Sequence, residues 1–343
     1  MNVRKNDVRV LIVDDSCVVR EFMIELLADE SGIQVVGEAS NGAEGVRLAT
    51  NLRPDLIIMD IEMPVMNGLE AIEVIMQQNP TPIMVVTSHS DAHLAYEAVS
   101  RGALEVVEKP SIDFAHCVQF IHKIKLLAGV KVIRHITGSK QVGRWEAVVT
   151  NPIASYSKKV IAIASSLGGA KVLESILSQL SADFPIPIVI AQHISEGFAE
   201  ALVDWLGNKT SLSVRVAAQG EALIPGSVFI APPEYNMQVD INKNIKLLPC
   251  VPGSIYHPCC DMLLSSVAHV YREGAVGVIL TGMGDDGVKG MEEIKTAGGV
   301  TIAQNEQTSL IYNMPRLVIE RGLADFIVAE NDIASTLLRM ATL

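Results

Sequence analysis

The chain has 343 residues, 49% of them hydrophobic and 19% charged, and its 27 Lys and Arg against 39 Asp and Glu leave a net charge of −12 at pH 7. At about 100–200 residues per domain, this length suits two domains with proper cores. The acidic balance repels phosphate backbones, so no nucleic-acid partner is expected. Five irregularly spaced cysteines (Cys17, Cys117, Cys250, Cys259 and Cys260), an N-terminus without the apolar core of a signal peptide, and apolar runs below the ~18 residues of a spanning helix predict a reduced, cytoplasmic protein with no membrane insertion.

In chain order, short β-branched runs at Val8–Val13, Ile33–Val36, Leu56–Met59, Ile83–Val86 and Leu104–Val107 alternate with amphipathic stretches such as Cys17–Ala28, Leu69–Gln77 and Ala92–Arg101, and Phe114–Leu127 closes the series. That alternation predicts a parallel sheet covered by helices, a (βα)5 domain over residues 1–127. Residues 128–157 lose the periodicity and read as a basic linker, with Trp145 and Val148–Val149 as points that could dock on a domain. From residue 158 to 343 the alternation resumes, with buried strands at Val160–Ala164, Ile186–Ala191, Val276–Leu280 and Val300–Ala303. Shorter runs at Ser227–Ala231, Met237–Val239 and Ile245–Leu248, with a turn at Asn242-Lys243-Asn244, predict an antiparallel ribbon at one edge. The expected fold class is α/β, with two doubly wound parallel-sheet domains.

Functional groups in such sheets collect at the carboxyl ends of the strands. Asp14 and Asp15 end the first strand, Asp60 the third, Thr87 the fourth and Lys109 the fifth. Three carboxylates in one crevice repel one another unless a divalent cation lies among them, and hard oxygen ligands favour Mg²⁺. Beside that cation and an ammonium group, Asp60 is placed to attack a phosphoryl group. The stretches LIVDDS, IIMDIEMPVMNGLEAI, IMVVTSH and VVEKP, over residues 7–127, resemble the receiver domain of bacterial two-component response regulators. The resemblance implies that Asp60 takes phosphate from a histidine kinase, that Asp14 and Asp15 hold Mg²⁺ with it, and that Thr87 and Lys109 contact the phosphoryl group. Val106 stands where that family often carries an aromatic switch residue.

In the second domain, Val160–Ala164 runs into Ser165-Ser166-Leu167-Gly168-Gly169 and then a helical stretch. A serine on such a turn faces backbone N–H groups and the positive end of a helix, although the pattern is not G-x-S-x-G. His193 follows the next strand, and Gly284-Asp285-Asp286-Gly287 follows Val276–Leu280, so a base and a carboxylate fall on the serine's side of the sheet. Adjacent Cys259 and Cys260 lack the spacing of a structural zinc pair and are expected to open a helix over Cys259–Tyr271 as small packing residues.

The stretches ASSLGG, AQHISEGFAEAL, VFIAPPEYNMQV, GVILTGMGDDGVKGM and TIAQNEQTSLIYNMPR resemble the catalytic domain of the chemotaxis protein-glutamate methylesterases, the CheB family, and the receiver, linker and esterase order resembles that family over the whole chain. This implies Ser166 as nucleophile, His193 as general base and Asp286 as its orienting carboxylate. It further implies oxyanion donors around Leu167, Gly168 and Gly169, Met283 near the triad, and no cofactor for the ester chemistry. The implied function is a phosphorylation-activated hydrolase that demethylates, and also deamidates, chemoreceptor cytoplasmic domains, with the unphosphorylated receiver covering the serine. Leu167 replaces a usual threonine, Asn236 a usual histidine, Pro233 a glycine, and His257-Pro258-Cys259-Cys260-Asp261 a usual Arg-Pro-Ser-x-Asp pattern. Leu167 and Asn236 keep open the alternative of a non-catalytic regulator with an esterase-like binding domain.

Overall fold

The computed structural model describes residues 7–28, 30–88, 92–110, 114–130, 132, 148–149, 159–250 and 256–341. It divides into two units, Met1–Gln141 and Val142–Leu343. In the first, strands β1 (Val8–Val13), β2 (Ile33–Ala39), β3 (Leu56–Met59), β4 (Ile83–Thr87) and β5 (Glu105–Glu108) form a parallel sheet in the order β2-β1-β3-β4-β5. The chain thus reverses its direction of travel across the sheet at β1 and β3, the switch point where ligand sites form. Helices α1 (Cys17–Ala28), α2 (Gly42–Leu52), α3 (Gly68–Gln78), α4 (Ala92–Ser100) and α5 (Phe114–Leu127) connect and cover the strands. Every residue of β3 and β4 is buried, as continuous apolar runs require when both faces are covered. Local chemistry starts the helices: Asn67 accepts the Glu70 N–H while Glu70 reaches back to the Asn67 N–H, a capping box at α3.

In the second unit, β6 (Val148–Val149), β7 (Val160–Ser165), β8 (Ile188–Gln192), β9 (Ser213–Val216), β10 (Ser227–Ile230), β13 (Ala275–Ile279), β14 (Val300–Gln304) and β15 (Phe326–Val328) form one sheet in the order β6-β15-β14-β13-β7-β8-β10-β9. All are parallel except β6, which pairs antiparallel with β15 through Val149 opposite Phe326 and Val148 opposite Ile327. So part of the expected linker adds an edge strand here, while Trp145 lies outside the described residues. The antiparallel ribbon is β11 (Tyr235–Val239) with β12 (Ile245–Pro249), a sheet of its own. Ser227–Ile230 belongs to the parallel sheet, not to the ribbon, and its four buried residues reflect that interior place between β8 and β9. The short strands β9, at the edge, and β15, between β6 and β14, carry too few residues for a periodicity, and sequence reading missed them.

Helices α6 (Gly169–Leu177), α7 (Ala199–Gly207), α8 (Cys260–Tyr271), α9 (Val288–Thr296), α10 (Met314–Glu320) and α11 (Glu330–Ala341) complete the unit. Helix α8 packs on β7, β11 and α9, and its Leu263, Leu264 and Val267 are fully buried in a core with Val189, Met237, Met291 and Ile294. The packing aims the first turn of α8 at the carboxyl end of β7. Among the described residues no helix is long and apolar enough to cross a membrane.

Candidate active site and acidic pocket

Register explains why residues far apart in sequence meet. In the parallel pairing of β7 with β8, Ser165 stands opposite Gln192, so the next residue of each strand, Ser166 and His193, leaves the sheet side by side. The His193 N–H bonds the Ser165 carbonyl at 3.0 Å. On the other side of β7, β13 pairs Ile279 with Ala164, and its following loop returns Asp286 to the same edge. The result is a line: His193 Nδ1 lies 3.1 Å from Ser166 Oγ, and His193 Nε2 lies 2.8 Å from Asp286 Oδ2. Because an ionised carboxylate only accepts, the ring proton belongs on Nε2, and the Nδ1 lone pair faces the hydroxyl. Asp285, beside it in sequence, points elsewhere and accepts the Tyr256 hydroxyl at 3.0 Å.

Asp286 is held by the start of α8. Its Oδ2 accepts the Cys260 N–H at 2.6 Å and its Oδ1 the Asp261 N–H at 2.9 Å, two of the free donors of a helix N-terminus. Burial pushes its pKa up, but the hydrogen bond and charge of His193, with those two N–H groups, outweigh burial and leave it below the usual carboxylate value. Asp261 in turn accepts the N–H groups of Gly287 and Gly290, tying the Asp286 loop to the same helix. Asn236 of β11, buried, accepts the Cys259 N–H at 2.9 Å and so fixes where α8 begins. Tyr256 stacks on His193 with ring centroids 5.2 Å apart and planes at 16°. Cys259 and Cys260 stand at the start of α8 as expected, but both thiols also touch the Asp286 and His193 pair, at 3.3 and 3.4 Å. Burial and Asp286 push the Cys259 thiol up to about 12 and Cys260 well above its ordinary value.

The turn after β7 is equally constrained. Gly168 adopts φ +77°, a left-handed conformation that favours glycine, and a Cβ on Gly169 would lie 1.8 Å from Ser165 Oγ and 2.5 Å from Gln192 Oε1. Buried Gln192 donates to the carbonyls of Ser166 and His193 at 2.8 and 3.1 Å, bracing both site residues. Leu167 is buried and brings no hydroxyl, yet Thr281 donates to its carbonyl at 3.0 Å, so a hydroxyl from the end of β13 steadies the turn. The N–H of Gly169 bonds the Ser166 carbonyl at 2.8 Å, and that of Ser166 bonds the Thr281 carbonyl at 3.1 Å. Gly169 is therefore not a free oxyanion donor, which corrects the expectation for that residue. Met283 is half-buried in the loop between β13 and Asp286. Sequence reading missed Gln192, Asn236, Asp261 and Thr281 as supports; each is a polar residue at an element end, the one signal that could have marked them.

In the first unit, Asp14, Asp15 and Asp60 offer carboxylate oxygens within 4.8 Å of one another. Lys109 Nζ lies 2.8 Å from Asp14 Oδ2 and 2.9 Å from Asp60 Oδ2. Burial raises the Asp60 pKa to about 6 against the lowering hydrogen bond from Lys109, with Asp14 raising it further. The Thr87 hydroxyl, at the end of β4, is buried without a hydrogen-bond partner among the described residues. Oxygen-only donors with an unsatisfied hydroxyl beside them fit Mg²⁺ and a phosphoryl group.

A family model described as CheB methylesterase matches residues 161–337, and one described as response regulator receiver domain matches residues 10–121. The chain is 42% identical to protein-glutamate methylesterase/protein-glutamine glutaminase 3 of Paramagnetospirillum magneticum over 98% of this chain and 97% of that one. It is 39% identical to protein-glutamate methylesterase/protein-glutamine glutaminase 4 of Myxococcus xanthus over 97% of each. The crystal structure of the Thermotoga maritima CheB methylesterase catalytic domain superposes with a TM-score of 0.52 at 34% identity, covering 54% of this chain and all of that one.

Proposed function

The chain belongs to the CheB methylesterase family, and from that premise we propose that it hydrolyses γ-glutamyl methyl esters on chemoreceptor cytoplasmic domains, and deamidates receptor glutamines, under the control of phosphorylation at Asp60. The observation that carries this reading is the hydrogen-bonded line from Ser166 Oγ through both ring nitrogens of His193 to Asp286.

Ser166 Oγ attacks the ester carbonyl while its proton passes to His193 Nδ1. The N–H of Leu167, the residue after the nucleophile, is the donor assigned to the oxyanion, while those of Ser166 and Gly169 are already bonded to the Thr281 and Ser166 carbonyls. Nδ1 then hands its proton to the departing methanol, or to ammonia from a glutamine, and a water molecule repeats the sequence to free the carboxylate. Asp286 holds the proton on Nε2 and stabilises the imidazolium that forms at each step.

The histidine kinase of the chemotaxis system supplies phosphate to Asp60. Asp14, Asp15 and Asp60 would hold Mg²⁺, which when bound offsets charge on the transferred phosphoryl oxygens. Lys109 and the Thr87 hydroxyl bind those oxygens directly.

The test is to incubate receptor bearing labelled methyl esters with wild-type protein and Ser166→Ala and to count volatile methanol. Release by wild type that the variant lacks supports the reading; equal release removes Ser166 from the mechanism. Failure of a fluorophosphonate probe to label Ser166 on the folded protein would favour a binding domain instead.

A further inference from the structure

One thiol beside the Asp286 and His193 pair completes a set of ligands that ester hydrolysis does not need. Cys260 Sγ lies 3.4 Å from His193 Nε2, the nitrogen that stands 2.8 Å from Asp286 Oδ2. Sulfur, nitrogen and oxygen all fall within 4.8 Å of one another. Cys260 is fully buried and the Asp286 side chain is 1% exposed, whereas that of His193 is 14% exposed, so solvent meets the cluster at the imidazole. We propose that Cys260, His193 and Asp286 form a binding site for a thiophilic divalent cation, Zn²⁺ or Cd²⁺, which switches hydrolysis off by replacing the proton between His193 and Asp286.

The spacing suits such an ion. A tetrahedral cation with sulfur at about 2.3 Å and nitrogen at about 2.0 Å sets these two ligands roughly 3.5 Å apart, close to the 3.4 Å observed. The nitrogen and oxygen would have to separate to roughly 3.3 Å, a small outward shift from the present 2.8 Å. One sulfur, one nitrogen and one oxygen select a borderline or soft ion over Mg²⁺, in contrast to the oxygen-only pocket of Asp14, Asp15 and Asp60. Three protein ligands leave a fourth position for water.

Proton accounting turns binding into inhibition. A neutral imidazole carries a single N–H, which Asp286 keeps on Nε2 so that Nδ1 can accept from Ser166. For a cation to bind there, the ring proton moves from Nε2 to Nδ1 and exposes the Nε2 lone pair to the ion, and the Cys260 thiol proton goes to solvent. Nδ1 then donates to Ser166 Oγ and can no longer take its proton. The ion stops the reaction without touching the serine.

The inhibition rests on the esterase reading, but the binding does not, so the two are measured separately. Full-length protein in chelator-treated buffer is titrated with Cd²⁺ alone, following the ultraviolet cadmium–thiolate band and methanol release in the same samples. Expected are a band that Cys260→Ser and Cys260→Ala both diminish, and a loss of hydrolysis that EDTA reverses. Against each protein's own metal-free rate, the two Cys260 variants should need at least about tenfold more Cd²⁺ for half-inhibition, while Cys259→Ser should stay near wild type. Cys260 variants as sensitive as wild type, protection by Cys259→Ser alone, or a wild type that neither shows the band nor loses activity would overturn the proposal. A band that depends on Cys260, in a protein that hydrolyses nothing even without cadmium, would sink the esterase reading and leave the metal site standing.

Discussion

His193 has one proton to place between two neighbours that want opposite things. The carboxylate of Asp286 can only accept and the hydroxyl of Ser166 must give, so the ring is useful in a single tautomer. Asp286→Asn presents an amide that can donate to Nε2 and pull the ring proton onto Nδ1. The rate of methanol release should fall on the order of 10³–10⁴-fold with substrate affinity little changed, by the logic of triads on other folds; a loss below about tenfold would mean that the carboxylate is not orienting the base. Residue types at strand ends made Ser166, His193 and Asp286 legible as candidates. The sequence offered no way to see that Asp286 is held by the N–H groups of Cys260 and Asp261, because that bond joins a helix start to a loop 25 residues further on.

At the scale of elements, the turn between β7 and α6 works because nothing larger than hydrogen fits at Gly169. Gly169→Ala puts a methyl group where Ser165 Oγ and Gln192 Oε1 already sit. The turn must move, and a displacement of about 1 Å at a reacting atom costs on the order of 10² in rate. Methanol release should therefore drop far more than thermal stability, and a variant with wild-type rate would show that the turn relaxes without carrying Ser166 along. Helix α11, packed on α6, offers a test of charge burial. Burial raises the pKa of Glu330 at its first turn, against hydrogen bonding by Ser175 and the charge of Lys171, so the folded protein holds the proton more tightly than the unfolded chain. The stabilising contribution of that group is complete below the unfolded carboxylate value and is lost as pH rises through the folded one. Glu330→Gln should raise the melting temperature at pH 7 and make little difference near pH 4, measured by circular dichroism. Strands with long buried runs were legible from hydrophobicity alone, whereas β9, β15 and the sheet membership of β10 depended on neighbours that no local pattern names.

For the whole molecule, the acidic pocket of one unit and the serine of the other should be coupled through phosphorylation. With Mg²⁺ and a small-molecule phosphodonor, hydrolysis should rise about tenfold, which asks for only ~1.4 kcal/mol of differential stability between two states. Asp60→Asn should abolish that response while keeping the basal rate, and a truncated protein beginning near Lys158 should outpace the unphosphorylated full chain; equal rates in all three would show that the receiver does not regulate the esterase. What the sequence by itself determined is the alternation of buried strands and covering helices, with reactive groups at the strand ends, because hydrophobic period and turn chemistry are local properties. Only the tertiary structure decided which of those groups meet. Strand order and register set Ser166 beside His193, and the packing of α8 aims its free N–H groups at Asp286, through contacts such as that of His193 with Asp286, 93 residues apart, that no local rule encodes.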